Sequence, residues 1–313
     1  MIKYFKYRKK PKRFLALTGF TVDEFDALLP EFEHSFQRRM VQYTLTGKER
    51  RKRAYVAYRN SPLSTIGEKQ FFLLTYLKSY PLQEVQAALF GLSQPKVNQW
   101  LHTLAPVLQE ALTTLGDVPA RNVTALLVQC KGQTLFFHDG TERPIPRPLD
   151  PEQQRLFYSG KAKMHTIKNN LLIDEQCRIL FLTATVEGKR HDKKLAEQAG
   201  YTLPPGSRLL QDTGFQGFTL PGVTILQPKK KPRGQPLSEL DKACNHWLAS
   251  LRIRMEHAIG GVQRTRIVKD KIRNWKQGFR DSVMEICCAL HNFRLHFRPW
   301  HYPPLQLHLF VDF

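Results

Sequence analysis

Apolar positions in the first 116 residues recur at helical spacing. Thr21-Val-Asp-Glu24 has the form of a capping box, in which hydroxyl and carboxylate satisfy each other's free amides, and Phe25, Leu28 and Leu29 follow at helical intervals. A helix is predicted to begin there. The mixed apolar stretch 71–77 is long enough, with its flanks, to be a second one. Strand signal is scarce up to about residue 116. From Asn122 the character changes: VTALLVQ and TLFFH, on either side of Gly132, are apolar runs with β-branched and aromatic content, and they predict a hairpin. The runs 166–173 and 178–186, flanking Asp174-Glu175-Gln176, predict a second hairpin extending the same sheet. A helix over Asp192–Ala199 and short strands at Arg208–Gln211 and 223–226 complete the alternation. QPKKKPRGQP, 227–236, holds three prolines and no apolar residue, so it is a loop leading into a helix capped at Ser238. These elements predict a helical domain over 1–120 and an α/β domain over 121–313.

Within the helical domain, residues 79–104 read as a helix-turn-helix. Leu82, Val85 and Leu89 share one face, Gly91 suits the turn, and Ser93 can cap a second helix with Pro95 in its first turn and Val97, Trp100 and Leu101 inward. Its outward residues are then Gln94, Lys96, Asn98 and Gln99, whose amides can read base edges and whose ammonium can meet phosphate. An ordinary pair of packed helices would show the same pattern, so charge has to separate the two readings.

Charge favours nucleic acid. The chain of 313 residues carries 48 Lys and Arg against 27 acidic residues, a formal +21. The excess is spread, with 18 basic against 10 acidic residues in 1–120 and 30 against 17 thereafter. A polyanion relieves such self-repulsion, which makes double-stranded DNA the leading partner and an acidic membrane surface the second. No apolar run approaches the roughly 20 residues that span a bilayer. The first thirteen residues hold seven Lys or Arg but lead into no apolar signal core, so a cytoplasmic location is expected. Five cysteines without framework spacing fit a reducing compartment. Cys287-Cys288 beside His291 and His296 suggests zinc only superficially, because adjacent helical cysteines point about 100° apart.

Two acids stand directly after predicted strands, Asp139 after LFFH and Asp212 after RLLQ, where a rigid scaffold can hold carboxylates close enough to share cations. The helix from Ser238 supplies a third. Its expected buried stripe is Leu240, Cys244, Trp247, Leu251, Met255 and Ile259, which places Glu256 off the stripe beside Arg252. Lys161, Lys163, His165 and Lys168 alternate near a strand start, so they can form a DNA-facing row or a solvated edge. For Asp192 a helix cap is the more economical of two readings, the other being a further acid beside the site.

These strings, in this order, resemble the DDE transposases of bacterial insertion sequences, specifically the insertion-sequence-five group, whose catalytic domain is shared with Harbinger transposases. The resemblance is carried by DGTERPIPRP from Asp139, QRLFYSGKAKMHTIKNNLLID from Gln154, GKRHD ending at Asp192, DTGFQG from Asp212, PKKKPRGQPLS from Pro228 and LRIRMEHAIGGVQR from Leu251. It covers roughly residues 79 to 300. It implies a ribonuclease H-like mixed sheet with flanking helices after an all-α helix-turn-helix domain, and Asp139, Asp212 and Glu256 as catalytic triad and metal ligands. Two Mg²⁺ ions, with Mn²⁺ as substitute, suit three hard carboxylates for phosphoryl transfer at DNA. In this resemblance the loop residues Lys229, Lys230, Lys231 and Arg233 contact transposon DNA. The expected function is a transposase that binds terminal inverted repeats, cuts them and joins 3′-OH ends to target DNA, as a homodimer or larger on DNA. A non-catalytic DNA-binding regulator and a structure-specific nuclease are the alternatives. Residues 1 to about 116 are expected to recognise DNA by themselves.

Overall fold

The computed structural model describes residues 1–51, 54–56, 60–274, 276 and 278–302. Of the basic run beginning at Lys48, Lys52 and Arg53 lie outside the described residues. The described residues divide into two compact units, Met1–Val118 with Val262–Phe297, and Pro119–Gly261 with residues 298–302.

The first unit is helical. It contains α1 (Tyr4–Arg8), α2 (Pro11–Thr18), α3 (Val22–Gln42), α4 (Ile66–Ser79), α5 (Gln83–Phe90) and α6 (Gln94–Thr114). The capping box of α3 is present, Thr21 Oγ1 accepting from Glu24 N at 3.2 Å and Glu24 Oε2 accepting from Thr21 N at 2.7 Å. An aromatic cluster of Tyr4, Phe14, Phe25 and Phe71 forms the core between α1, α2, α3 and α4, with Phe14, Phe25 and Phe71 fully buried.

The second unit is mixed α/β: α7 (Val123–Gln129), β1 (Leu135–Pro144), α8 (Pro151–Phe157), β2 (Tyr158–Ser159), β3 (Met164–Ile173), β4 (Ile179–Leu182), β5 (Val186–Glu187), α9 (Asp192–Ala199), β6 (Arg208–Gln211), β7 (Thr224–Leu226) and α10 (Glu239–Val262). The sheet runs β2-β3-β1-β6-β7, with β4 and β5 also pairing on β3. β1 is antiparallel to β3 and parallel to β6, and β7 is parallel to β6. The mixed sheet with flanking helices, preceded by helices, is the expected class. One expected strand is wrong: VTALLVQ is the helix α7, capped by Asn122 Oδ1 accepting from Ala125 N at 2.9 Å. A short aliphatic run has no periodicity that separates strand from helix, and here the Asn cap decides. Only Leu126 of α7 is buried.

The last two helices, α11 (Arg266–Lys269) and α12 (Phe279–Leu295), return to the helical unit rather than completing the sheet unit, so the expected single block 121–313 is interrupted. The physical reason is the apolar flank of α6. α12 buries Val283, Ile286, Cys287, Leu290 and Phe293 while packing along α6. Polar ties fix the pairing: Ser282 Oγ donates to Gln109 Oε1 at 2.8 Å and Asn292 Nδ2 donates to Asp117 O at 2.8 Å. Both cysteines of the Cys287-Cys288 pair are buried core. No helix among the described residues is long and apolar enough to cross a membrane.

The turn between β3 and β4 carries a buried carboxyl. Asp174 Oδ1 accepts from Gln176 N at 2.9 Å and Arg178 N at 2.8 Å, yet burial pushes its pKa up to about 6 against those bonds. The folded chain therefore holds this proton more tightly than the unfolded chain, and stability falls as pH rises from about 4 to about 6. Asp174→Asn is expected to be more stable than the parent at pH 7 by about 2 kcal/mol and equal to it below pH 4, measured by urea unfolding at both pH values.

Candidate active site and nucleic-acid interface

The register of the sheet brings two acids together. β1 and β6 pair in parallel from Leu135↔Arg208 to His138↔Gln211. The next residue on each strand is an aspartate, so Asp139 and Asp212 stand side by side just beyond the shared ladder. Asp212 ends its strand as expected. Asp139 does not, because β1 continues along β3 as far as Pro144, with Asp139 opposite Leu171. Each carboxylate takes the following backbone amide: Asp139 Oδ1 accepts from Gly140 N at 2.7 Å, and Asp212 Oδ1 accepts from Thr213 N at 2.6 Å.

A third acid arrives from α9. Asp192 is the first residue of α9, after the N-cap His191, and its side chain turns to the sheet. A Cβ built on Gly140 would lie 2.8 Å from Asp192 Oδ1, and one on Gly214 would lie 3.7 Å from Asp192 Oδ2. The carboxylate thus occupies the space left by the glycines of DG and DTG. Asn170 Nδ2 holds the Asp192 carbonyl at 2.9 Å, and Lys168 Nζ stands 3.1 Å from Oδ1. Burial pushes the Asp139 carboxyl up to about 6; the Gly140 amide and Arg252 oppose the rise, and Asp212 and Asp192 add to it. Of the two readings the sequence allows for Asp192, a helix cap and a further acid beside the site, the structure has the second, with the glycines after Asp139 and Asp212 making room for it.

α10 buries Leu248, Leu251, Met255 and Ala258. The expected stripe holds at Leu251 and Met255 but not at Leu240, which is exposed near the helix start. Off this stripe, Arg252 Nη2 reaches Asp212 Oδ2 at 3.3 Å, so this face of α10 looks at the aspartates. Glu256 is exposed one turn further along the same face. Among the described residues no three His, Cys, Asp or Glu side chains already converge as a metal cage. The donor set nevertheless fits a hard divalent cation, since Asp139, Asp212 and Glu256 offer only carboxylate oxygens.

His138 lies beneath the acids, and sequence reasoning did not single it out. It is buried, its pKa pushed down to about 3 by that burial, so the imidazole is neutral. Gln211 Nε2 lies 2.8 Å and Tyr201 Oη 3.0 Å from its Nδ1, and Gln211 Oε1 accepts from Gln227 Nε2 at 3.0 Å. The alternation of β1 was the signal, since it puts His138 on the face opposite Asp139.

The expected phosphate row by β3 is not formed as a row. Lys168 is buried, 3.1 Å from Glu142 as well as from Asp192, and it donates to Arg190 O at 3.0 Å. Its side chain neutralises two carboxylates and is closed to DNA. Lys161 and Lys163 are exposed, but in the turn before the strand, and His165 is half-buried against Tyr158. Lys230, Lys231 and Arg233 are exposed on the 227–236 loop, whereas Lys229 is tied to Asp241 at 2.5 Å.

In the helical unit, α5 and α6 meet through Gly91, which has φ +68 and donates its N–H to the end of α5. The inward residues of α6 are Val97, Trp100 and Leu101, as expected. α5 is turned differently: Leu82 and Val85 are exposed, while Gln86, Ala87 and Phe90 are buried. Gln86 can go inward because its Nε2 donates to Phe72 O at 3.0 Å. Lys96 is exposed and donates to Gln99 Oε1 at 3.1 Å. Gln94 and Asn98 both donate to Gln83 Oε1, at 2.5 and 3.3 Å, which fixes their amides on the first turn.

The family of DDE superfamily endonucleases matches residues 138–292, and the helix-turn-helix of DDE superfamily endonucleases matches 61–114. A protein of Microchaete diplosiphon described as "Probable transposase for insertion sequence element IS702" is 27% identical over 236 residues, covering 75% of this chain and 82% of its own. No solved structure matches the chain significantly. These two segments are thus similar to a DDE superfamily endonuclease and to the helix-turn-helix of that superfamily, and the chain has a homologue described as a probable insertion-sequence transposase.

The cradle around Asp192 is directly testable. Gly140→Ala is expected to push the Asp192 carboxylate aside and lower stability by about 1–3 kcal/mol, because the neighbouring Asn170 side chain also crowds the new methyl. Adding Asp192→Ala should recover part of that loss, and urea unfolding of the two single variants and the double variant measures the non-additivity. Strictly additive effects would show that the carboxylate does not occupy the glycine cradle.

Proposed function

We propose that this chain is a transposase of the insertion-sequence-five type that binds terminal inverted repeats of double-stranded DNA, cuts at the element ends and joins the 3′-OH ends to target DNA. The observation that carries the reading is the alignment of Asp139 with Asp212 at the end of the β1–β6 ladder, with the face of α10 that bears Glu256 turned toward them. Asp139, Asp212 and Glu256 are the residues that would hold two Mg²⁺ ions, for which Mn²⁺ substitutes. Bound divalent cations supply charge neutralisation and an activated oxygen nucleophile at the scissile phosphate. The chain's own residues do the positioning. The backbone amides of Gly140 and Thr213 orient the two aspartates, and Arg252 holds Asp212 on the side facing α10.

Gln94, Lys96, Asn98 and Gln99 present the recognition surface, with Lys161, Lys163, Lys230, Lys231 and Arg233 as phosphate contacts near the sheet unit. Processing two ends together requires at least two subunits, and DNA phosphates screen the mutual repulsion of chains that each carry +21. A homodimer or larger assembly on DNA follows from that requirement.

The test uses a labelled duplex carrying the element's terminal repeat, with Mg²⁺ and a target plasmid. Asp139→Asn, Asp212→Asn and Glu256→Gln are each expected to lower cleavage and joining by at least a hundredfold while end binding stays within about threefold, since the amide keeps shape and loses cation affinity. Cleavage without joining in the parent protein would favour a nuclease. Wild-type strand transfer by any of the three variants would remove that residue from the site.

A further inference from the structure

We infer that the DNA surface of the helical unit is discontinuous in sequence: the first two turns of α6 are bordered by the hairpin tip at 44–48 and by Lys276, and both borders take phosphates beside the groove that α6 enters. The inference rests on the reading of α6 as the recognition helix, and it adds two segments that lie outside the matched helix-turn-helix at 61–114.

The hairpin is a built element. Tyr43 and Glu49 form an antiparallel bridge, Thr44 N donates to Lys48 O at 2.8 Å, and Gly47 turns the chain with φ +79. Arg50 fastens its base, Nε donating to Met40 O at 2.8 Å and Nη2 to Tyr43 O at 3.2 Å. Thr103 Oγ1 on α6 donates to Leu45 O at 3.0 Å, which locks the hairpin against the recognition helix. With its base and flank held in this way, Thr46, Gly47 and Lys48 remain exposed at the tip.

The other flank comes from far along the chain. Arg273 is consumed by anchoring: its Nη2 donates to Tyr80 O at 2.6 Å and Pro81 O at 3.0 Å, and its guanidinium lies 4.2 Å from the centre of the Tyr80 ring. Asn274 Nδ2 lies 3.5 Å from His102 Nε2 on α6, and Asn274 Oδ1 accepts from Lys276 N at 2.9 Å. These bonds hold the backbone of Lys276 beside α6 and leave its side chain exposed.

Two clefts follow from this arrangement. One of about 510 Å³ runs between the hairpin and α6, lined by Arg39, Thr46, Lys96 and Gln99 among others. A second of about 720 Å³ runs along the α5 side, past Gln83 and Arg273. Asn98, His102 and Lys276 line both. The first two turns of α6 therefore form a ridge between two hollows that share Lys276, with Arg39 and Lys96 on the hairpin hollow and Arg273 on the other. That relief matches a helix seated in a major groove about 12 Å wide, with the two sugar-phosphate walls received by the hollows. Phosphate contacts of this kind position the protein without reading sequence.

The test is binding of the full chain to a fluorescein-labelled 30-base-pair duplex, followed across a KCl series. Lys48→Gln and Lys276→Gln are each expected to reduce the slope of log affinity against log salt by about one, so that each variant loses about fourfold less affinity than the parent between 50 and 200 mM. Lys271→Gln, an exposed lysine of the same loop as Lys276 that neither lines a cleft nor belongs to the hairpin tip, should leave the slope unchanged. Unchanged slopes for Lys48→Gln and Lys276→Gln, with Lys96→Gln lowering it, would overturn the flanking contacts and keep the helix-turn-helix reading. Unchanged binding in Lys96→Gln and Gln99→Ala as well would overturn both. All substituted side chains except that of Gln99 are exposed, so unaltered thermal unfolding is the expected control.

Discussion

The buried bond between His138 and Gln211 is the constraint from which the site follows. These residues form the last pair of the parallel β1–β6 ladder, and each is followed by an aspartate. A slip of one residue would turn one aspartate to the opposite face of the sheet. Side-chain bonding makes the correct register the favoured one: Gln211 bridges His138 on β1 to Gln227, the residue after β7, so the ends of three neighbouring strands are tied by one polar chain. Because burial keeps His138 neutral, this chain supplies geometry without charge. The charges opposing the acids are then those of Arg252 at Asp212 and Lys168 at Asp192.

Those two cations play unequal parts. Lys168 is buried, bound to two carboxylates and a carbonyl, and removing it would strand Glu142 and Asp192 in a poorly solvated place. Its role is in holding the fold. Arg252 is half-exposed, touches Asp212 at 3.3 Å and has a buried Nε without a hydrogen-bond partner. An interaction so incompletely satisfied costs little to rearrange compared with that of Lys168. The recess therefore has a fixed cation on the α9 side and an exchangeable one on the α10 side, which is the side that bears Glu256. The acids themselves repel: burial, together with the neighbouring carboxylates of Asp212 and Asp192, raises the Asp139 carboxyl, so the site concentrates unfavourable charge.

Legibility in the sequence followed how local each signal was. The capping box at Thr21, the inward set Val97, Trp100 and Leu101, the hairpin around Asp174 and the strand before Asp212 were all readable, because each depends on neighbouring residues. VTALLVQ was not, since a seven-residue aliphatic run satisfies either geometry and its Asn cap carries the difference. Lys168 and Asp192 were misplaced for a different reason. Each is decided by a partner brought from another element, Lys168 by Glu142 across the β1–β3 ladder and Asp192 by the glycines after Asp139 and Asp212. Residue type suggested phosphate binding for one and favoured capping over a site acid for the other. Burial overruled both.

Connectivity has its own consequence for the helical unit. The matched endonuclease segment extends to residue 292, yet α12 packs along α6 and belongs to the compact unit that holds the helix-turn-helix. A chain ending near residue 116 would expose the flank of α6 against which Val283, Ile286 and Leu290 are now buried. An independent recognition domain over 1–116 is thus disfavoured by the same packing that carries the Lys276 loop to α6. The loop's position is a product of that closure: α11 and α12 bracket it, and Arg273 and Asn274 fasten it to Tyr80 and His102. The helical unit is complete only when the chain has passed through the sheet unit and come back, so its folding requires contacts of long sequence separation, which are slow to form because the intervening loop must close first.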